Sequence, residues 1–432
     1  MDNKLEKKPE EKSYLQTMTD KIKIALFIGA MAVLFFIGLL FFLRPTVSDA
    51  EKRELTKFPA FTMESFLSGE WTSQVSLWFA DTYPMREGMI EANNSIEELY
   101  GVRGEQVIVG GDADDIPDKP VSGEVVFNPT DDGGGNKVGG MYVNGDTAYQ
   151  LYSFSQQNSA SYAALINSFA NQIGDKAKVY DMIVPLHYQI ALSRETAAKY
   201  GASDCEAAID YMYSSMNSSV NTVDTLPYLI SHNEEYLYYR TDHHWTARGA
   251  YYAYEAFCHE KGITPTPLSS YERRQYNNFL GTLYSEANQP AAMKANPDFV
   301  EAFVPNGTNR LDVYNADGSY FDWFAIVADA NKYSTGNKYL AFISGDRPLI
   351  KIHNDKITDG SSIVVVKESY GNAFVPFLVD SYEYVYVIDY RQWSGNLADF
   401  VTGNGIDDVL FLNVVNVTST SERLRELGSI IK

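Results

Sequence analysis

Apolar residues are distributed unevenly along the chain, and the unevenness divides it. Ile24 to Leu43 form an unbroken uncharged run, IALFIGAMAVLFFIGLLFFL, between Lys21/Lys23 and Arg44-Pro45. As a helix rising about 1.5 Å per residue, it is long enough for a hydrocarbon core of about 30 Å. Lysines gather before it, which predicts a cytoplasmic tail over 1–23, a single transmembrane anchor over 24–43 and an extracellular remainder. A cleaved signal segment is the competing expectation, with Ser48-Asp49-Ala50 as a small-x-small site. The length of the run favours the anchor. In the next stretch, 44–103, Trp71, Val75, Trp78 and Phe79 recur at three- and four-residue spacing. That pattern predicts a helical juxtamembrane region with one apolar face, Thr62 as a cap and Gly101 at its end.

From 104 to 432 the pattern predicts an α/β domain. Its start, 104–150, is rich in Gly, Asp and Pro around short strand-like pieces (QVIVG, EVVFN, GGMYVNG), so it reads as loops and hairpins. Its Asp-rich runs lack the closing Glu of a complete calcium loop. Helical patterns then alternate with short apolar runs. SASYAALINSFANQIG, ASDCEAAIDYMYSSMN, ARGAYYAYEAFCHEKG and NAFVPFLVDSY read as helices; KVYDMIVPL, SSIVVVK, YVYVIDY and DVLFLN read as strands. Strands apolar nearly throughout, alternating with helices, imply a mainly parallel sheet with helices on both faces. Residues 268–350 are less regular and read as an insertion with further strands at FDWFAIV, KYLAFISG and RPLIKIHN.

Composition narrows the function. A net charge of −21 repels phosphate backbones, so a nucleic-acid partner is not expected. The excess of Tyr (31) over Trp (5) suits a surface that contacts polar or sugar-like ligands. Cys205 and Cys258 lie in no zinc-type spacing; they read as two buried thiols, with one disulfide as the alternative.

Two segments carry candidate chemistry. Asp242-His243-His244-Trp245 sits just before a helix, and Ser369 follows an apolar strand and precedes a helix. Ligands in α/β sheets bind beyond the carboxyl ends of strands, where a hydroxyl such as that of Ser369 is exposed. Taken alone, Ser369 reads first as a helix cap, and Asp242 reads equally as one. Together they fit a nucleophile with a histidine base held by a carboxylate. Gly371 then allows a tight turn and close approach of substrate. A metal at Asp242, His243 and His244 is the third reading, unsupported because His187, His232, His259 and His353 are scattered. No cofactor and no metal are expected.

TDHHWTARGAYYAY resembles the motif that names the bacterial DHHW family. KESYGNAFVPFL, ISGDRPLIKI and FPAFTMESFLSGEWTSQVSLWFADTYPMREG look like its other blocks, together spanning roughly 45–415. The family is related to alginate O-acetyltransferase-like proteins, so the resemblance implies an SGNH-hydrolase-like domain in which an Asp-x-His pair precedes the serine. Carried over, Asp242 is the orienting acid, His244 the base and Ser369 the nucleophile. Acetyl transfer to, or removal from, an exported or cell-surface polysaccharide is implied, with a multi-spanning membrane acyltransferase as partner. A noncatalytic glycan-binding or assembly protein of the cell envelope is the alternative. Lys367-Glu368 stands where a GDS block has Gly-Asp, and no GxND block is present. Gly345, Arg347 and Asn372 are the candidate oxyanion donors, and His243, Trp245 and Tyr370 the candidate pocket residues.

Overall fold

The computed structural model describes residues 134–431 continuously. Before them it describes 44–48, 53–54, 56–67, 70–85, 113–117 and 128–131, with isolated positions at 23, 29 and 36. Apart from Gly29 and Phe36, the apolar run 24–43 lies outside the described residues, as do QVIVG, most of EVVFN and the expected helix end at Gly101. No helix among the described residues is long and apolar enough to cross a membrane.

The chain divides into two units, 1–92 and 93–432. In the first, helices Met63–Leu67 and Glu70–Asp81 follow a short strand pair. Thr62 accepts the Ser65 N–H at 3.1 Å, so it caps the first helix. Trp78 is buried, with Phe58 edge-on at 4.8 Å and the Arg44 guanidinium 3.9 Å over its ring.

The second unit is a mixed α/β structure around a large, mostly parallel sheet. Its strands in chain order are β1 Lys178–Val184, β2 Val220–Thr222, β3 Arg310–Tyr314, β4 Tyr320–Ala325, β5 Leu349–His353, β6 Ser362–Lys367, β7 Tyr384–Asp389 and β8 Asp408–Val414. Across the sheet they run β4-β3-β5-β7-β6-β8-β1-β2. From β7 to β2 every pair is parallel, and β5, β3 and β4 extend the β7 edge antiparallel. Every residue of β6 and β8 is buried. Each Val or Ile there contributes about 1.5–3 kcal/mol, which is why these runs are apolar throughout and not alternating.

Five helices cover the sheet: α1 Gln156–Ile173, α2 Ala247–Lys261, α3 Gly371–Leu378, α4 Leu397–Asn404 and α5 Ser421–Ile430. The crossover through α3 steps outward from β6 to β7, whereas that through α4 steps back to β8. With right-handed connections the two helices lie on opposite faces. Consistently, α2 packs on α3, and α1 packs on α4 and α5. Thr246 caps α2 by accepting the Gly249 N–H, and Gly262 ends it at φ 77°. Cys205 and Cys258 are free and buried; burial pushes each thiol up to about 12.

One strand expectation changes. The first half of KYLAFISG lies in a 3₁₀ helix over Thr335–Ala341, and in the second half Ile343, Ser344 and Gly345 all take positive φ, which interrupts extended backbone. Conversely, the polar stretch Glu272–Phe279 pairs antiparallel with Asp298–Val304 across a connection holding two short helices, a pair with no clear period in its sequence.

Candidate active site

Strand β6 ends at Lys367, and α3 begins at Gly371, so Ser369 lies at the carboxyl edge of the sheet. It makes no cap: the residue before α3 is Tyr370, with no side-chain capping bond. Instead Ser369 Oγ lies 2.8 Å from His244 Nε2. The other ring nitrogen, Nδ1, lies 2.6 Å from Asp242 Oδ1, at the short end for a charge-assisted bond. Asp242 and His244 are 1% and 6% exposed, whereas Ser369 is partly open to solvent. One imidazole thus bridges a buried carboxylate and the hydroxyl of a half-buried serine 125 positions away. The tautomer follows from the partners: Asp242 accepts from Nδ1–H, which leaves Nε2 as the acceptor for the serine proton.

The loop holding Asp242 and His244 is clamped from several sides. Tyr238 and Trp245 form an antiparallel bridge, and the Tyr239 N–H donates to the His244 carbonyl at 3.2 Å. Asp298 accepts from Thr241 N, Thr241 Oγ1, Arg240 Nε and Tyr236 Oη, all within 3.0 Å. Thr282 donates its N–H to Asp242 Oδ2 at 2.9 Å and its hydroxyl at 3.2 Å. Gly281 is required beside it, because a Cβ there would stand 2.2 Å from Asp242 Oδ2.

Tyr339 completes the cradle. Its ring stacks on His244, 4.0 Å between centroids at 11°, and its hydroxyl donates to the Ser369 carbonyl at 3.1 Å. Burial pushes the Tyr339 phenol well above its usual range, so it stays a neutral donor. Thr282, Asp298 and Tyr339 all come from the irregular stretch 268–350 and carried no signal in the sequence.

The pocket candidates sit around this centre. The His243 ring meets His244 at 3.9 Å and bonds to Thr282 Oγ1; Tyr370 donates to the His243 carbonyl, and Trp245 Nε1 donates to the Tyr370 carbonyl at 2.9 Å. The oxyanion candidates are engaged elsewhere. The Gly345 N–H donates to Phe342, and Arg347 donates to Ser344 beside the Phe324 ring. Asn372 donates to Asp346 at 3.0 Å and accepts from Lys367 Nζ at 2.7 Å. Gly371 is required for packing, since a Cβ there would meet the Lys367 stem at 2.7 Å.

Lys367 therefore anchors a buried ionic cluster behind the serine, bonded to Asp346 at 3.0 Å and Asp389 at 3.2 Å, with Arg391 bridging the same two acids. Burial opposes ionisation of Asp346, yet Lys367 and Arg391 hold its carboxyl well below the usual range. Its stabilisation is present above the unfolded value of about 3.9 and is withdrawn as the pH falls below it. Lys367→Met leaves two carboxylates to one cation at a site where Lys367 is fully buried. It is expected to cost about 3 kcal/mol in urea unfolding at neutral pH. The difference from the parent should shrink near pH 3, roughly, as the acids protonate.

Asp242, His243 and His244 also bring one ligand atom each within 4.8 Å of one another. In this conformation both His244 nitrogens and both Asp242 oxygens are hydrogen-bonded within the serine-type chain.

The DHHW protein family model matches residues 51–128 and 107–388. The chain belongs to the DHHW family. A DHHW family protein from Eubacterium siraeum has a similar solved structure, with a TM-score of 0.63 at 28% identity over 69% of this chain and 98% of that one. PatB1 of Bacillus cereus, solved with a sulfonyl adduct, shares the fold at a TM-score of 0.56 and 16% identity, covering 68% and 100% of the two chains. The O-acetyltransferase domain of Pseudomonas putida AlgJ is more distant, with a TM-score of 0.38 at 12% identity over 67% and 98%. No curated protein matches the chain.

Proposed function

We propose that this DHHW protein is an SGNH-type acyl-transfer enzyme that moves acetyl groups onto, or off, an exported or cell-surface polysaccharide through Ser369, His244 and Asp242. The observation that carries this reading is the His244 ring, 2.6 Å from a buried carboxylate on one side and 2.8 Å from the hydroxyl of half-buried Ser369 on the other. A serine hydroxyl is a poor nucleophile until a base receives its proton, and this arrangement supplies the base already oriented.

In the reaction, Ser369 Oγ attacks the acetyl carbonyl while its proton passes to His244 Nε2. The tetrahedral intermediate collapses, the C–O bond to the leaving alcohol breaks, and His244 returns the proton to that alcohol. A sugar hydroxyl or water then attacks acetyl-Ser369, giving its proton to His244, which restores it to Ser369. The choice of acetyl and of a polysaccharide rests on the motif resemblance at 241–254 and 367–378. The apolar run 24–43 supports tethering on the outer face of the membrane, where a multi-spanning acyltransferase could present the acetyl donor.

Incubation with 4-nitrophenyl acetate tests this directly. The expected result is release of nitrophenolate together with an acetyl mass on the peptide containing Ser369. Absence of both turnover and acetyl-Ser369 would leave a glycan-binding role as the better account.

A further inference from the structure

Ser369 Oγ faces a second acceptor besides His244. Glu368 Oε2 lies 3.2 Å away, in a side chain only 5% exposed. The hydroxyl has one proton for two partners. If it goes to His244 Nε2, the Ser369 and Glu368 oxygens oppose lone pair to lone pair, unless the carboxyl holds a proton of its own. If it goes to an ionised Glu368, Nε2 and Oγ oppose each other at 2.8 Å unless His244 is an imidazolium, which cannot act as a base. Both hydrogen-bonded distributions contain the same number of protons. They differ in whether the shared proton sits on Glu368 or on His244.

We propose that Glu368 is a positioning residue: holding the shared proton, it donates to Ser369 Oγ and so leaves His244 neutral with the serine's own proton aimed at Nε2. This deepens the acyl-transfer reading and rests on it. The Glu368 side chain is fixed for that role, since Oε1 accepts the Val414 N–H from β8 and Oε2 accepts the Tyr370 N–H, each at 3.2 Å. The groups facing it are the Arg391 guanidinium beyond β7, the His244 ring, and the phenols of Tyr339, Tyr370 and Tyr390. Arg391 is spent on Asp389 and Asp346. Burial is the largest influence and pushes the Glu368 carboxyl up, with Arg391 and then His244 opposing. A raised carboxyl keeps its proton below its folded pKa and loses it above, so the productive arrangement fails on the alkaline side.

The test is the rate at which phenylmethanesulfonyl fluoride modifies Ser369 across pH, in the parent, Glu368→Gln and Glu368→Ala. The parent is expected to lose rate at alkaline pH. Glu368→Gln, whose carboxamide always has an N–H to donate although its nitrogen no longer accepts the Tyr370 N–H, should be labelled faster than Glu368→Ala and lose the alkaline fall. Glu368→Ala should be slowed about tenfold or more at every pH, again without that fall. An unchanged alkaline fall in Glu368→Gln, or parent-like rates in Glu368→Ala, would overturn the proposal.

An infrared difference spectrum gives a second readout independent of turnover. The parent minus Glu368→Gln should contain one protonated-carboxyl C=O band at the optimal pH. Asp181, a second buried carboxyl raised to about 7, cancels in that difference. No band would exclude a proton on Glu368. Failure of the parent to be labelled at any pH would instead remove the acyl-transfer reading, and this role with it.

Discussion

Ser369→Ala is expected to lower ester turnover by about 10⁴-fold or more while the protein folds normally. In the proposed reaction the hydroxyl is the atom that forms the covalent bond, so its removal would leave His244 without a proton to accept and the acetyl group without an attachment point. Little else depends on it. Ser369 caps no helix, its side chain is partly solvent-exposed, and the cradle contact from Tyr339 goes to its backbone carbonyl. Loss of rate with an unchanged melting temperature therefore separates a chemical role from a structural one. A fall in both together would assign Ser369 to the fold.

Asp242→Asn is expected to lower kcat by about 10⁴-fold, for a reason written into its contacts. Four donors meet the carboxylate: the His244 ring and amide on Oδ1, and the Thr282 amide and hydroxyl on Oδ2. A carboxamide has a single oxygen. Turned toward His244, it presents its NH₂ to the Thr282 N–H; turned the other way, it presents NH₂ to Nδ1 and drives the ring to the tautomer with its proton on Nε2, facing Ser369. Asp242 is 1% exposed, so water cannot relieve the mismatch, and a stability loss of about 1–3 kcal/mol should accompany the loss of rate. Steady-state kinetics and thermal unfolding measure the two effects separately.

The sheet was legible because its central strands are buried on both faces and so read as unbroken apolar runs, as in SSIVVV and DVLFLN. Thr246 and Gly262 bound α2 through cap chemistry that depends only on local sequence. The Asp-x-His pair was legible for the same reason: two residues apart in one loop, it needs no long-range fold to be recognised. What surrounds it was not. Thr282, Asp298 and Tyr339 act through an antiparallel strand pair, its helical connection and a 3₁₀ turn whose sequences carry no regular period, and their significance exists only once the backbone returns to the loop at 238–246. Proximity in sequence was also a poor guide. Asn372 and Gly371, near neighbours of Ser369, serve Lys367, whereas Glu368, noted only as a departure from a GDS block, contacts the Ser369 hydroxyl.

The central claim is that His244 makes the Ser369 hydroxyl reactive. Peptide mapping after exposure to a fluorophosphonate tests it most directly. The account predicts one label per chain, on Ser369, and its loss in His244→Ala with the fold retained. Labelling that persists at Ser369 without His244, or that settles on another serine, would contradict it.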